Sequence, residues 1–411
     1  MSNAIVCTNA LSSLPSLEMA IAELVEKLKT NFSGTADLGV LFISSAYASE
    51  YPRLMPLLKS QLKSQLSIGA LIGCSGGGVI GTNSDNEALE IEEEPALSLT
   101  LWQLPEIKVH TFHLPADDLP DLDGSPDHWV DLIGISPDEN PQFILLADPF
   151  SARINDLLRG LDFAYPGAAK VGGLASGGEV GFKSGLFQDY QFHREGTVGV
   201  ALSGNLVMET IVAQGCRPIG DLFQVTKGER NIILELATAD RPNQPLVPLE
   251  ALRDMLNALS ESDRELAQHS LFIGVARDEF KMQLGAGDFL IRNMLGVDPR
   301  LGAVAVGDRV RPGQRIQFHL RDANTSAEDL EIMLQKYQRK SDQAPAGALL
   351  FSCLGRGAKL YGQPNFDSHL FQRYLGKIPL AGFFCSGEIG PVAGDTFLHG
   401  YTSVFGIISN I

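Results

Sequence analysis

Three segments place a Ser-Gly step where a strand-like apolar run gives way to a turn: IGALIGCSGGGVIG (Ile68 to Gly81), AKVGGLASGGEVG (Ala169 to Gly181) and IPLAGFFCSGEIG (Ile378 to Gly390). The first sets Cys74 before Ser75-Gly76, and the second sets Glu179 just after Ser176-Gly177. Only the third carries both a thiol, Cys385, and a carboxyl, Glu388, around Ser386-Gly387. A thiol at a strand end is a nucleophile or soft ligand when a cation or helix terminus lowers its pKa. It is equally a residue that packs well when buried. A glutamate among glycines and apolar residues suits an amine, or accepts backbone N–H groups. The glycines let main-chain N–H groups approach a carboxylate or phosphate, or simply make tight bends.

None of the turns is a phosphate-loop signature: GCSGGGVIG lacks its Gly-Lys-Ser/Thr ending. No His-x-x-x-His pair or zinc-type Cys/His spacing occurs. Two further residue types enter the candidate chemistry. Arg217, in GCRPIG, offers a planar fork that matches a carboxylate, or an ion pair that joins domains. His193 and His399 lie at comparable distances past the second and third turns, where an ordinary strand-edge histidine also fits.

The elements that must position these groups follow from periodicity. Leu17, Ile21, Leu24, Val25 and Leu28 repeat at helical spacing within Leu14 to Thr30. Then LGVLFIS (Leu38 to Ser44), a helix from Tyr51 to Leu66 and IGALIG form a β-α-β unit, since parallel strands need a crossover. FILLAD, a helix from Ser151 to Phe163 and AKVGGL form a second unit; GALLFSC (Gly347 to Cys353), a helix around Asp367 to Leu375 and IPLAGFFC form a third. Between them, Ala96 to Leu114 reads as a hairpin turning at Pro105-Glu106, and Thr197 to Val212 as another at Gly204-Asn205. Asp117 to Asn140 reads as a surface insertion. The fold class is therefore α/β with mixed sheets: two related halves of repeated β-α-β units, Gly turns and returning hairpins. The divisions are 1–37, a helical lead-in; 38–223; and 224–411.

Composition narrows the function. A net charge of −17 argues against nucleic acid, which needs clustered Lys and Arg. The amino terminus has no signal-peptide pattern, and no run is long enough to insert as a membrane-spanning helix. Five widely spaced cysteines suit a reduced, cytoplasmic protein.

GALIGCSGGGVIG, VGGLASGG, GCRPIGDLFQVTKGERNIILEL, AGFFCSGEIGP and FLHGYTSVFGI, in that order, resemble the paired amino- and carboxy-terminal domains of the FIST (F-box and intracellular signal transduction) family. The resemblance spans roughly Asp37 to Ile408 and implies a stand-alone sensory module that binds a small, amino-acid-like ligand and passes its signal to a separate signalling protein. A branch of similar proteins implies haem and nitric oxide as the alternative, with His399 or His193 as the candidate. About 37 residues precede the first domain, too few for an F-box, and no kinase or cyclase segment follows.

The resulting expectation is a pocket where turns converge. Arg217 holds an acidic group, the Ser75-Gly76 and Ser386-Gly387 N–H groups add hydrogen bonds, and Glu388 meets an amine, with Cys74, Cys385 and His399 also among the ligand-binding residues. The third turn is the expected centre. A Cys385 nucleophile with His399 as base, and a pure interaction scaffold, are the rival readings.

Overall fold

A computed structural model describes residues 4–62, 66–177, 184–238, 241–285, 287–340 and 343–410. The chain forms two compact units, residues 1–213 with 331–411, and residues 214–330. The division near Phe223 read from sequence falls inside a strand of the second unit, Cys216–Glu229.

The larger unit opens with strand β1 (Val6–Ser12) and helix α1 (Leu17–Asn31), which buries the five apolar residues of its stripe and is capped by Ser16, whose hydroxyl accepts from Met19 N–H. Next come β2 (Thr35–Ser44), α2 (Tyr51–Leu62), β3 (Ser67–Gly76), β4 (Gly78–Thr82), β5 (Ala88–Glu92) and β6 (Leu97–Gln103). The second repeat is β7 (Ile107–Leu114), α3 (Pro126–Ile133), β8 (Gln142–Ala147), α4 (Ile154–Ala164), β9 (Lys170–Leu174), β10 (Leu186–Gln188), β11 (Gln191–His193) and β12 (Thr197–Gly204), followed by β13 (Val207–Ala213). The second unit holds β14 (Cys216–Glu229), β15 (Ile232–Thr238), β16 (Arg241–Leu246), α5 (Pro248–Ala258), α6 (Glu261–Ser270), β17 (Leu271–Ala276), β18 (Phe289–Asp298), β19 (Ala303–Val306) and β20 (Arg315–Arg321). There β14-β20-β17-β18-β19-β15 closes on itself through an additional β14–β15 pairing, so this unit is a small barrel around its own core. Helix α7 (Ala323–Lys340) runs across the division between units. The third repeat is β21 (Gly347–Cys353), α8 (Ala358–Tyr361), α9 (Phe366–Leu375), β22 (Leu380–Cys385), β23 (Glu388–Val392), β24 (Asp395–His399) and β25 (Ser403–Ser409).

Each expected β-α-β unit is present, with β2–β3, β8–β9 and β21–β22 parallel. The larger unit has three of them, in three six-stranded sheets built to one plan: β1-β6-β2-β3-β10-β11, β7-β12-β8-β9-β23-β24 and β13-β25-β21-β22-β4-β5. After every Gly turn the chain leaves its own sheet and adds a hairpin to a neighbour's. The first repeat lends β4–β5 to the third, the second lends β10–β11 to the first, and the third lends β23–β24 to the second.

This exchange overturns the two expected hairpins. β6 and β7 lie in different sheets, as do β12 and β13. Period-two alternation tells which faces are buried, not which strand is the partner. The insertion at Asp117 to Asn140 is also corrected, because α3 within it buries Trp129 completely. One core joins the three sheets, with Phe42 and Cys74, Ile144 and Leu146, and Phe351, Phe383 and Cys385 in a single cluster. The Phe42 and Phe383 rings stack with centroids 5.1 Å apart.

Candidate functional site

The three Ser-Gly turns meet and bind one another. Ser176 N–H donates to the Ser75 carbonyl at 3.1 Å, the Ser75 hydroxyl to the Ser176 carbonyl at 3.1 Å, and Gly77 N–H to the Ser176 hydroxyl at 2.9 Å. The Ser176 hydroxyl in turn donates to the Phe384 carbonyl. Ser386 N–H donates to the Leu174 carbonyl at 3.1 Å, and Leu174 N–H to the Gly387 carbonyl at 2.8 Å. Ser75 N–H reaches the Gly185 carbonyl at 2.8 Å. The N–H groups of Ser75, Gly77 and Ser386 thus serve the junction between repeats. Close approach explains the glycines: a Cβ on Gly76 would come within 2.6 Å of the Gly78 carbonyl oxygen, and one on Gly177, at φ +88°, within 2.7 Å of the Gly76 carbonyl oxygen. Glu179 lies outside the described residues.

Beneath the third turn the groups become reactive types in a dry setting. Cys385 is fully buried, and its thiol faces the Ser352 carbonyl at 3.2 Å and Glu388 Oε1 at 3.4 Å. Burial first, then the Glu388 charge, pushes this thiol well above the ordinary cysteine value; burial alone does the same to Cys74. Glu388 is also fully buried, and its Oε2 accepts from Thr402 N–H at 3.0 Å. Desolvation raises its carboxyl to about 8 against the pull of that hydrogen bond, so it is protonated at neutral pH. His399 sits opposite Glu388 in the β23–β24 ladder, with its Nε2 3.0 Å from the Gly390 carbonyl. His193 stacks on His113, ring centroids 3.8 Å apart.

Arg217 lies in the smaller unit, where its Nη2 meets Asp263 Oδ1 at 2.5 Å and its Nε meets Asp322 Oδ2 at 3.1 Å. Burial opposes its charge, but these two carboxylates raise its pKa overall. Asp322 also caps the start of α7, accepting from Thr325 N–H at 2.7 Å.

A second arginine has the more exacting environment. Arg356 follows β21 in the loop leading to α8, and its side chain is 0% exposed. Its Nε donates to Asp367 Oδ2 at 2.8 Å and its Nη2 to Asp367 Oδ1 at 3.1 Å, a bidentate pair, while Tyr361 Oη lies 2.5 Å from Nη2. Asp367 also accepts from the Ser403 hydroxyl at 2.6 Å and from Tyr361 Oη at 2.9 Å. Burial raises the Asp367 carboxyl, and the guanidinium outweighs this and lowers it, so the pair is ionised. The remaining nitrogen, Arg356 Nη1, is buried with no hydrogen-bond partner among the described residues. The same holds for Glu90 Oε2, supplied by the borrowed strand β5. Glu90 is 5% exposed, and burial first, then the Asp367 charge, raises its carboxyl to about 8. The Arg356 charge also acts on Glu388, so Glu90, Asp367, Arg356 and Glu388 form one electrostatically linked group at the carboxyl ends of β21 and β22.

Sequence reasoning missed Arg356, Asp367 and Glu90. The available signal was Gly355-Arg356-Gly357, a cation in the loop directly after the strand of a β-α-β unit, where open α/β sheets place ligands. Among the described residues no group of three or more His, Cys, Asp or Glu side chains is arranged to hold a metal ion. Among them also, no helix is long and apolar enough to cross a membrane.

Residues 37–238 match the FIST N domain model and residues 248–391 the FIST C domain model. An uncharacterized protein of Mycobacterium tuberculosis (strain H37Rv) is 35% identical over 396 residues, covering 96% of this chain and 97% of the relative. One from Mycobacterium bovis is 35% identical over 401 residues, covering 97% and 96%. F-box only protein 22 of Homo sapiens is similar over a short stretch, 31% identical across 75 residues, or 14% of this chain and 19% of that one.

Proposed function

The chain belongs to the FIST family, which is associated with signal transduction, and from that premise we propose that it is a cytoplasmic sensory protein that binds a small, amino-acid-like ligand at the Arg356 centre and signals through a separate protein partner. One observation carries this reading: a guanidinium held out of water by Asp367 and Tyr361, with Nη1 unpartnered. A buried donor without an acceptor costs about 1–3 kcal/mol, more when charged, so a fold that keeps one gains when an acceptor arrives. A ligand carboxylate is such an acceptor. Arg217 is the weaker candidate, because its side chain is 34% exposed and so keeps no donor buried away from water.

Titration calorimetry with the individual L-amino acids tests the assignment. The wild-type protein binds at least one of them, Arg356→Lys weakens it by about 10-fold or more through loss of the planar fork, and Arg217→Ala leaves it unchanged. Failure of all of them to bind wild type at millimolar concentration, or an Arg356→Lys protein that is folded by circular dichroism and binds as tightly, overturns it.

A further inference from the structure

The hairpin β4–β5 is anchored in its borrowed sheet by two ladder pairs, Ile80 with Gly382 and Val79 with Phe383. Thr82 adds two side-chain bonds to the Leu380 backbone, Val79 and Ile80 are fully buried, and the outer strand β5 is further tied to α8 and α9 by polar bonds. Ser368 N–H, in the first turn of α9, donates to Glu90 Oε1 at 2.7 Å, and Ala358 N–H, at the start of α8, donates to Glu92 Oε1 at 2.8 Å. In the other direction, Glu90 N–H donates to Asn365 Oδ1 at 2.6 Å and Ala88 N–H to Gln372 Oε1 at 3.0 Å. Gly357 has φ +70°, and a Cβ there would stand 2.6 Å from both Cδ and Oε2 of Glu92. A side chain there would have to displace the Glu92 carboxyl from its bond to Ala358 N–H.

These bonds fasten the hairpin over the loop and helices that carry Arg356 and Asp367. The carboxyl at its centre is the one with a free oxygen. We infer that β5, the outer strand of this hairpin, is the lid of the Arg356 centre, and that Glu90 is its second pole, taking the ammonium end of a ligand whose carboxylate Arg356 holds. The second part rests on the reading of Arg356 given above.

The groups facing Glu90 are Asp367 from α9, Tyr361 from α8 and Glu92 from its own strand, and Asp367 in turn pairs with Arg356. No cation contacts Glu90 directly among the described residues, and burial with the Asp367 charge keeps it protonated in the closed lid at neutral pH. An arriving ammonium supplies the missing cation. Glu90 then ionises, its proton leaves to solvent, and a carboxylate–ammonium pair replaces a neutral acid. An opened lid returns Glu90 to water, where its pKa is ordinary, so opening also releases a proton above that value. The opening equilibrium must grow by up to tenfold per pH unit between roughly 4.5 and 8 and level off above.

Hydrogen exchange at the amides of Ala88, Glu90 and Ser368, corrected for the intrinsic pH dependence, reads the lid without any ligand. In the wild type, protection falls severalfold to tenfold per pH unit from pH 5.5 to 7.5. In Glu90→Gln, which keeps the oxygen that accepts from Ser368 and cannot ionise, the decline is much shallower, with only Glu92, whose carboxyl burial also raises, left to supply it. A flat wild type, or a Glu90→Gln profile as steep as the wild type, overturns the lid. Calorimetry with the bound L-amino acid in buffers of different ionisation enthalpy reads the pole: one proton is released near pH 7 by the wild type and none by Glu90→Gln. Equal release by both overturns it. If no amino acid binds, the ligand reading and the second pole fall together, while the exchange profiles still decide the lid.

Discussion

Arg356 and Asp367 form a fork-to-fork ion pair with side chains 0% and 1% exposed, joined through two bonds of 2.8 and 3.1 Å. Two opposed desolvation penalties are met here by one bidentate contact, with Ser403 and Tyr361 filling further lone pairs of the carboxylate. Removing one partner strands the other in a dry site. Asp367→Ala is expected to cost about 3–5 kcal/mol, seen as a lower urea midpoint at unchanged m-value. A loss under 1 kcal/mol would mean that solvent reaches the guanidinium.

Glu388 gives stability a pH dependence whose sign is fixed. Its carboxyl titrates at about 8 in the folded protein against an ordinary 4.5, so the folded state holds a proton that the unfolded state has lost between those values. Stability contributed by this group is greatest below pH 4.5, declines as pH rises through the window and is constant above 8. The slope is at most about 1.4 kcal/mol per pH unit, and Glu90 adds a slope of the same sign. Glu388→Gln should lose about 1 kcal/mol at pH 5.5, because an amide cannot satisfy both Cys385 and Thr402, and yet show a shallower decline toward pH 7.5. Urea unfolding at several pH values measures both; slopes equal to the wild type would show that Glu388 is ionised throughout.

The thiols separate a sensor from a cysteine enzyme. Burial pushes Cys74 and Cys385 well above the ordinary cysteine value, and no cation offsets it among the causes acting on them. Iodoacetamide at pH 7.5 should leave both unmodified for hours in the native protein and alkylate all five cysteines in guanidinium chloride. Rapid native labelling of Cys385, followed by mass spectrometry, would reinstate the nucleophile.

The repeats were legible in the sequence because local apolar runs and glycine turns are short-range signals. Gly347–Cys353 has the bounds read from its composition, and α1 buries the five residues that marked its stripe. Strand exchange was not legible. Whether β6 pairs with β7 or with β1 and β2 depends on which buried faces meet, and no spacing in the chain encodes that. The site was half legible for the same reason. Cys385 and Glu388 stand in a recognisable turn, whereas Glu90 reaches Ser368 across 278 residues through a borrowed hairpin.

The convergence of the turns makes one glycine more costly to replace than its neighbours. Gly177 holds φ +88°, and a Cβ there would sit 2.7 Å from both the Gly76 carbonyl oxygen and Ser45 Cβ. The first obstacle is backbone of another repeat, which cannot rotate away as a side chain can. Gly177→Ala therefore combines left-handed strain with a forced separation of the first and second repeats, a loss of about 1–3 kcal/mol or more. Gly167, also at positive φ but with nothing within 4 Å of a Cβ, isolates the strain alone, so Gly167→Ala should cost only about 1 kcal/mol. Thermal melts of the two variants compare them directly: similar midpoints would show that the turns can part without loss, and that the hydrogen bonds between Ser75, Ser176 and Phe384 do not hold the repeats together.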